Sequence, residues 1–112
     1  MPTVDADTLE SFARTAVEAY GAPPDTAATV ARSLVAADLV GHGSHGVVRV
    51  PYYADVVAEG GIAPAAEPTV ESAGPFHQID GGAAFGQLTG RRAVESLVET
   101  ARERGVEIGR AD

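Results

Sequence analysis

The sequence predicts an α+β fold: about four helices make up a helix-rich N-terminal portion, with a small β-hairpin between the third helix and the fourth. Three observations lead there. Apolar residues recur every three or four positions over four stretches, the spacing of one helix face. Glycine or proline bounds these stretches. Two short runs, Thr69 to Glu71 and Phe76 to Asp80, flank the turn-like Ala73-Gly74-Pro75.

The elements follow in chain order. Asp7 with Glu10 three residues on reads as a capping box, and Asp5 is the alternative cap. Leu9, Phe12, Ala13, Ala16, Val17 and Tyr20 then form the apolar stripe of the first helix. Gly21 ends it, and Pro23-Pro24 block its continuation. The second helix starts near Pro24 or Asp25 and presents Ala27, Val30, Ala31, Leu34 and Val35 as its buried face. Asp38 continues that stripe near the helix's C-terminal end, where the macrodipole disfavours a negative charge. Such an acid is either solvated at a fraying end, or pairs with Arg49, or orients a histidine. Gly41 stops the helix.

The third helix runs to about Glu59. It starts near Arg49, or starts earlier and kinks at Pro51, because proline keeps every hydrogen bond only in a first turn. Tyr52, Tyr53, Val56 and Val57 give it an apolar face, and Gly60-Gly61 break it. Ile62 to Pro68 is a connector leading to the hairpin. His77 shares a strand face with Ile79, opposite Phe76 and Gln78, so its burial is open. Asp80-Gly81-Gly82 leads into the last helix, whose apolar set is Phe85, Leu88, Val94, Leu97, Val98 and Ala101. Arg91, Arg92, Glu95, Glu99, Arg102 and Glu103 form its charged face, with Glu95 and Glu99 one turn from arginines. Gly105 ends that helix, and a strand beginning at Val106 would be cut short by Gly109-Arg110-Ala111-Asp112. With no repeat and no clear linker, residues 1–112 read as one helix-rich domain.

Composition narrows the function classes. Hydrophobic residues make up 45% and aromatics 5%, so the core is expected to be built of small side chains. There is no cysteine, hence no disulfide framework and no thiolate chemistry. No apolar run approaches a membrane span, and the acidic N-terminus is not that of a signal peptide, so a cytoplasmic location is expected. The net charge is −8, and all eight basic residues are arginine. That argues against nucleic acid binding, which needs a cationic face. A lysine-free, acid-rich surface suits a high-salt cytoplasm, the reading favoured here, and equally a GC-rich genome.

Polar chemistry is concentrated in Gly41-His42-Gly43-Ser44-His45-Gly46-Val47-Val48-Arg49-Val50. Its glycines allow positive φ and close approach to the main chain. Histidine moves protons near neutral pH, and arginine offers a rigid fork to a carboxylate. A proton donor beside a carboxylate clamp is what a 2-keto or 2-hydroxy acid enzyme needs, while the hydride must come from a cofactor. Other readings compete. Gly41-x-Gly43-x-x-Gly46 matches a dinucleotide fingerprint by letter, but that motif requires a preceding strand, and helix precedes it here. His42 and His45 could start a metal site, but no third ligand is evident, so none is assigned. Adjacency alone does not make Ser44 and His45 a nucleophile and base. The plainest reading is a glycine-rich connector with exposed histidines.

Ser44-His45-Gly46-Val47-Val48-Arg49 follows Ala36-Ala37-Asp38-Leu39-Val40-Gly41-His42-Gly43. Tyr52-Tyr53, Gly60-Gly61-Ile62-Ala63-Pro64 and Ile79-Asp80-Gly81-Gly82-Ala83-Ala84-Phe85-Gly86-Gln87 come after it. Together these resemble the opening of the malate/L-lactate dehydrogenase family. That NAD(P)-dependent group also includes sulfolactate, ureidoglycolate and diketogulonate reductases, and is distinct from the Rossmann-type lactate and malate dehydrogenases. The likeness runs from Leu9 to about Val106. It implies an oxidoreductase that transfers hydride between NAD or NADP and a small 2-hydroxy or 2-keto acid. The resemblance makes His45 the proton donor or acceptor, Arg49 the holder of the substrate carboxylate, and Ser44 a residue lining the same pocket. Many members have Asp where Gly43 stands, a departure that bears on how the loop is positioned. Members of the family are much longer, so the resemblance implies an N-terminal part whose cofactor-binding domain lies elsewhere, and it assigns no cofactor-binding residue here. Its expected partner is a second copy, or a complementing chain that carries the cofactor domain. The alternative is a non-enzymatic remnant or helical interaction module.

Overall fold

A computed structural model describes residues 3–73, 76–105 and 107–112. The chain divides into two compact units, Met1–Ala65 and Ala66–Asp112.

The first unit is helical. Helix α1 spans Ala6–Ala19 and α2 spans Pro24–Leu39. A 3-10 turn at Gly43–His45 precedes α3, Arg49–Ala58. The cap of α1 is Asp5 rather than Asp7, and its carboxylate accepts the Thr8 N–H at 3.2 Å. Asp7 lies in the first turn, where its charge still complements the helix dipole. Pro24 occupies the first position of α2, where its missing N–H costs nothing. Pro51 likewise sits in the first turn of α3, so the helix starts at Arg49 without a kink.

α1 packs on α2, and the core is made of small residues as expected: Ala13, Val17, Ala22, Ala27, Val30, Ala31, Leu34, Val35 and Val50 are buried. Phe12, read as part of the apolar stripe, is 65% exposed. The buried seam follows Ala13 and Val17, and Phe12 is turned about 100° from Ala13, off the edge of that seam. Tyr20, just past α1, donates its hydroxyl to the Val50 carbonyl at 3.1 Å and so ties α1 to the start of α3.

The second unit is a three-stranded sheet with one helix. β1 (Thr69–Ala73) pairs antiparallel with β2 (Phe76–Asp80), with Val70 opposite Ile79 and Ser72 opposite His77. Ala73, expected in the turn, belongs to β1, and Gly74 and Pro75 lie outside the described residues. Helix α4 spans Gly86–Arg104. The sheet does not stop at a hairpin. β3 (Ile108–Ala111) pairs parallel with β2, so Gly109-Arg110-Ala111 forms a strand instead of ending one, and Val106 lies outside the described residues. Glycine is tolerated in this strand because α4 lies against it: a Cβ on Gly109 would meet Leu97 at 2.9 Å.

β2 alternates as its period requires, with His77 and Ile79 buried and Phe76, Gln78 and Asp80 exposed. Phe85 and Leu88 are buried, while Val94 and Val98, read as part of the apolar face of α4, are 61% and 43% exposed. Arg91 donates to Glu95 at 2.9 Å, and this hydrogen bond holds the Glu95 carboxyl below its usual range. Among the described residues no helix is long and apolar enough to cross a membrane.

Moving the cap from Asp7 to Asp5 has a direct consequence. Asp5→Ala should lower stability by about 1 kcal/mol, with Asp7→Ala well below that. Urea melts of the two variants compare them, and equal losses would show that Asp5 is not the cap.

Candidate active site

The site is built where α2 gives way to α3. Gly41 takes φ +80° and turns the chain out of α2, its N–H donating to the Asp38 carbonyl at 3.0 Å. The His42 N–H reaches further back, to the Ala37 carbonyl at 2.8 Å. The 3-10 turn follows, with the His45 N–H on the His42 carbonyl at 3.0 Å and the Gly46 N–H on the Gly43 carbonyl at 3.1 Å.

Asp38 closes the loop from below. Its carboxylate accepts the Val47 N–H at 2.9 Å. It also lies against the α-carbon of Gly46, which is buried, so that any Cβ at position 46 would overlap the carboxylate. Asp38 is half-buried, and among the described residues it makes no ion pair with Arg49 and no hydrogen bond to a histidine ring. It binds the backbone of the motif itself, a role that residue-type spacing does not reveal because its partner is a main-chain group.

Ser44 joins the two chemical groups. Its hydroxyl lies 3.0 Å from His45 Nδ1, and its carbonyl accepts Arg49 Nε–H at 2.9 Å. The guanidinium also lies over the Tyr52 ring, 5.7 Å from its centroid. Among the described residues no group engages the two terminal nitrogens of Arg49. His42 and His45 meet edge to face, with ring centroids 4.2 Å apart and planes at 63°. His42, Ser44 and His45 are exposed, and Arg49 is half-buried. The structure thus brings Ser44 against both His45 and Arg49. The link runs through Ser44, and α3 begins at Arg49, the first of the two starts the sequence leaves open. Tyr52, the aromatic that packs on the guanidinium, was legible only as part of an apolar helix face.

The third histidine lies in the second unit. His77 Nδ1 is 2.8 Å from the Ser96 hydroxyl, and its Nε2 is 3.9 Å from the Glu107 carboxylate, whose side chain is buried. Among the described residues no cluster of three or more His, Cys, Asp or Glu side chains converges as metal ligands would.

Comparison with known proteins decides the family. A family model described as malate/L-lactate dehydrogenase matches residues 4–110. The chain belongs to the malate/L-lactate dehydrogenase family. Within it, the chain is 36% identical over 106 residues to a malate dehydrogenase from Pyrococcus abyssi, covering 94% of this chain and 29% of the relative. It is 36% identical over 99 residues to a (2R)-3-sulfolactate dehydrogenase (NADP(+)) from Chromohalobacter salexigens, covering 87% and 29%. Its fold matches the structure of a malate dehydrogenase from Pyrococcus horikoshii OT3 with a TM-score of 0.91 and 35% identity, over 98% of this chain and 32% of that one. A structure described as a malate/lactate dehydrogenase from E. coli gives 0.88 at 32% identity, over 92% and 29%. The chain spans about three tenths of the length of the relatives it matches.

In this family member the contact between Asp38 and Gly46 is open to test. Gly46→Ala should cost about 1–3 kcal/mol, the usual range for forcing extra atoms into a filled site, and should speed amide exchange at Val47. Asp38→Ala should speed the same exchange by removing the acceptor. Exchange measured by NMR checks both, and a Val47 amide indifferent to both changes would refute the clamp.

Proposed function

We propose that this chain supplies the substrate-handling residues of an oxidoreductase that interconverts a small 2-hydroxy acid and its 2-keto acid, with NAD or NADP as hydride carrier. The observation that supports it most directly is the double role of Ser44, whose hydroxyl meets His45 while its carbonyl meets Arg49.

The arrangement suits the chemistry group by group. With Nε–H held by the Ser44 carbonyl, the guanidinium of Arg49 is left with its two terminal nitrogens as an end-on fork, the edge that pairs bidentately with a carboxylate. When Nδ1–H of His45 donates to the Ser44 hydroxyl, Nε2 carries the lone pair and can take the proton of the substrate hydroxyl. In the reverse direction the imidazolium gives that proton to the carbonyl oxygen while Nδ1–H stays on Ser44. The Tyr52 ring lies 5.7 Å from the guanidinium carbon, within reach of a cation–π attraction.

A nicotinamide cofactor supplies the hydride when bound. The glycine string of the loop does not fit its pyrophosphate: it follows α2 instead of a strand, and the Asp38 carboxylate occupies the face of Gly46. The cofactor is therefore held by other residues. Relatives named for NAD(+), such as the ureidoglycolate dehydrogenase of Escherichia coli (strain K12), and for NADP(+) both match this chain, so either cofactor is compatible with the reading.

A second reading, a helical interaction module without chemistry, is favoured by exposed apolar residues around the loop: Leu39 at 70%, Val40 at 80% and Val48 at 65%. In the enzymatic reading the same residues face a second copy or a chain that carries the cofactor site.

Oxidation of NADH and NADPH with pyruvate, oxaloacetate and related 2-keto acids tests the reading, alone and with added cofactor-domain chain. His45→Ala should lower turnover by about 10²–10⁴-fold, the size of a general acid's contribution. Arg49→Lys should chiefly raise KM, since lysine lacks the fork. Binding of oxamate, a 2-keto acid mimic, to the chain itself is the companion measurement. Oxamate binding unaffected by Arg49→Lys would overturn the assignment of the clamp, and an absence of oxamate binding together with concentration-dependent self-association would favour the interaction module.

A further inference from the structure

His42 is the part of the motif that this chemistry leaves unused. Its backbone is pinned at both ends, with its N–H on the Ala37 carbonyl at 2.8 Å and its carbonyl accepting the His45 N–H at 3.0 Å. His42 and His45 stand three residues apart across a 3-10 turn, a spacing at which side chains eclipse. The result is two imidazoles on one side of the turn, 4.2 Å apart. The His42 side chain is exposed, and among the described residues neither of its ring nitrogens has a hydrogen-bond partner.

The charged groups around it are already committed. The Asp38 carboxylate on α2 is taken up by the Val47 N–H and by Gly46. Arg49 on α3 is anchored to Ser44 through Nε–H, which in the reading above leaves its terminal nitrogens for the substrate carboxylate. His45 faces the oxygen on C2. A substrate held by Arg49 at C1 and by His45 at C2 would continue into C3, and the His42 ring, 4.2 Å from that of His45, offers a donor beside the reacting carbon. In a chain with net charge −8, an anionic group there needs a local N–H donor, and His42 supplies one.

We propose that His42 is a specificity-determining residue that donates a ring N–H to a second acidic group of the substrate, so that the site prefers 2-hydroxy and 2-keto diacids over monoacids. The inference rests on the roles given above to His45 and Arg49.

The test titrates the chain with DL-malate and with DL-lactate and follows the ring resonances of His42 and His45 and the Nε–H of Arg49 by NMR. Both acids should shift His45 and Arg49. Malate alone should also shift His42, and should bind about tenfold more tightly, the size of one charge-assisted hydrogen bond. In His42→Ala the ratio of the two affinities should fall to about one, and His42→Gln, which keeps an N–H donor, should restore part of it. A His42→Ala variant that keeps the wild-type ratio overturns the proposal, including the case where both affinities fall together because the ring only buttresses His45. If neither acid moves His45 or Arg49 in the wild type, the reading of the whole site fails and this one with it, an outcome seen before any variant is made.

Discussion

The hydrogen bond between the Asp38 carboxylate and the Val47 N–H is the constraint on which the geometry of the site depends. A carboxylate at the C-terminal end of a helix is opposed by the helix dipole. Here the opposition is offset by a donor that comes from the chain nine residues later, and by contact with an α-carbon that carries no side chain. The same turn of α2 also holds the beginning of the loop, through the Ala37 carbonyl and the His42 N–H. Both ends of the segment are thus fastened to two adjacent residues of one rigid helix. Ser44 and His45 are displayed at its apex, and Arg49 opens the next helix.

Fastening the backbone leaves the side chains to be oriented, and one residue does so for two groups. A base is useful only if a defined nitrogen faces the substrate, and a guanidinium recognises a carboxylate only through a defined edge. Ser44 selects Nδ1 of His45 with its hydroxyl and Nε of Arg49 with its carbonyl. What remains free on each, Nε2 and the two terminal nitrogens, is the part the proposed reaction needs. The donors are in place before a substrate arrives, so little reorganisation is required of them when charge develops. Exposure to water weakens such interactions, and a partner covering Leu39, Val40 and Val48 would strengthen them by excluding it.

Much of this was legible in the sequence, and the misses have physical causes. The helices, the break at Gly41, the first-turn position of Pro51 and the strand Phe76–Asp80 all follow from local rules of periodicity and backbone freedom. The grouping of Ser44, His45 and Arg49 was legible because all three lie within six residues. The role of Asp38 was not, since acid-to-backbone bonds across nine residues leave no mark in residue type. β3 was read as interrupted because Gly109 has poor strand propensity, and only the tertiary contact with Leu97 favours a small residue there. Phe12 and Val94 show the converse: periodicity marks an apolar face, but the neighbouring element decides how wide a strip of it is covered.

The chain contains two serine–histidine pairs, and the contrast between them separates packing from chemistry. In both, a serine hydroxyl lies at hydrogen-bond distance from Nδ1: 3.0 Å for Ser44 and His45, and 2.8 Å for Ser96 and His77. The difference is at the other nitrogen. His77 is 5% exposed, and its Nε2 faces a buried carboxylate 3.9 Å away on Glu107, so both of its nitrogens are turned to protein. It joins β2 to α4 and lies against the segment leading into β3. His45 is exposed, with Nε2 free of any hydrogen-bond partner among the described residues. A serine that fixes one nitrogen leaves the other available for proton transfer to a ligand only where the ring is exposed. The pairing alone therefore does not distinguish the two histidines; the exposure of the far nitrogen does.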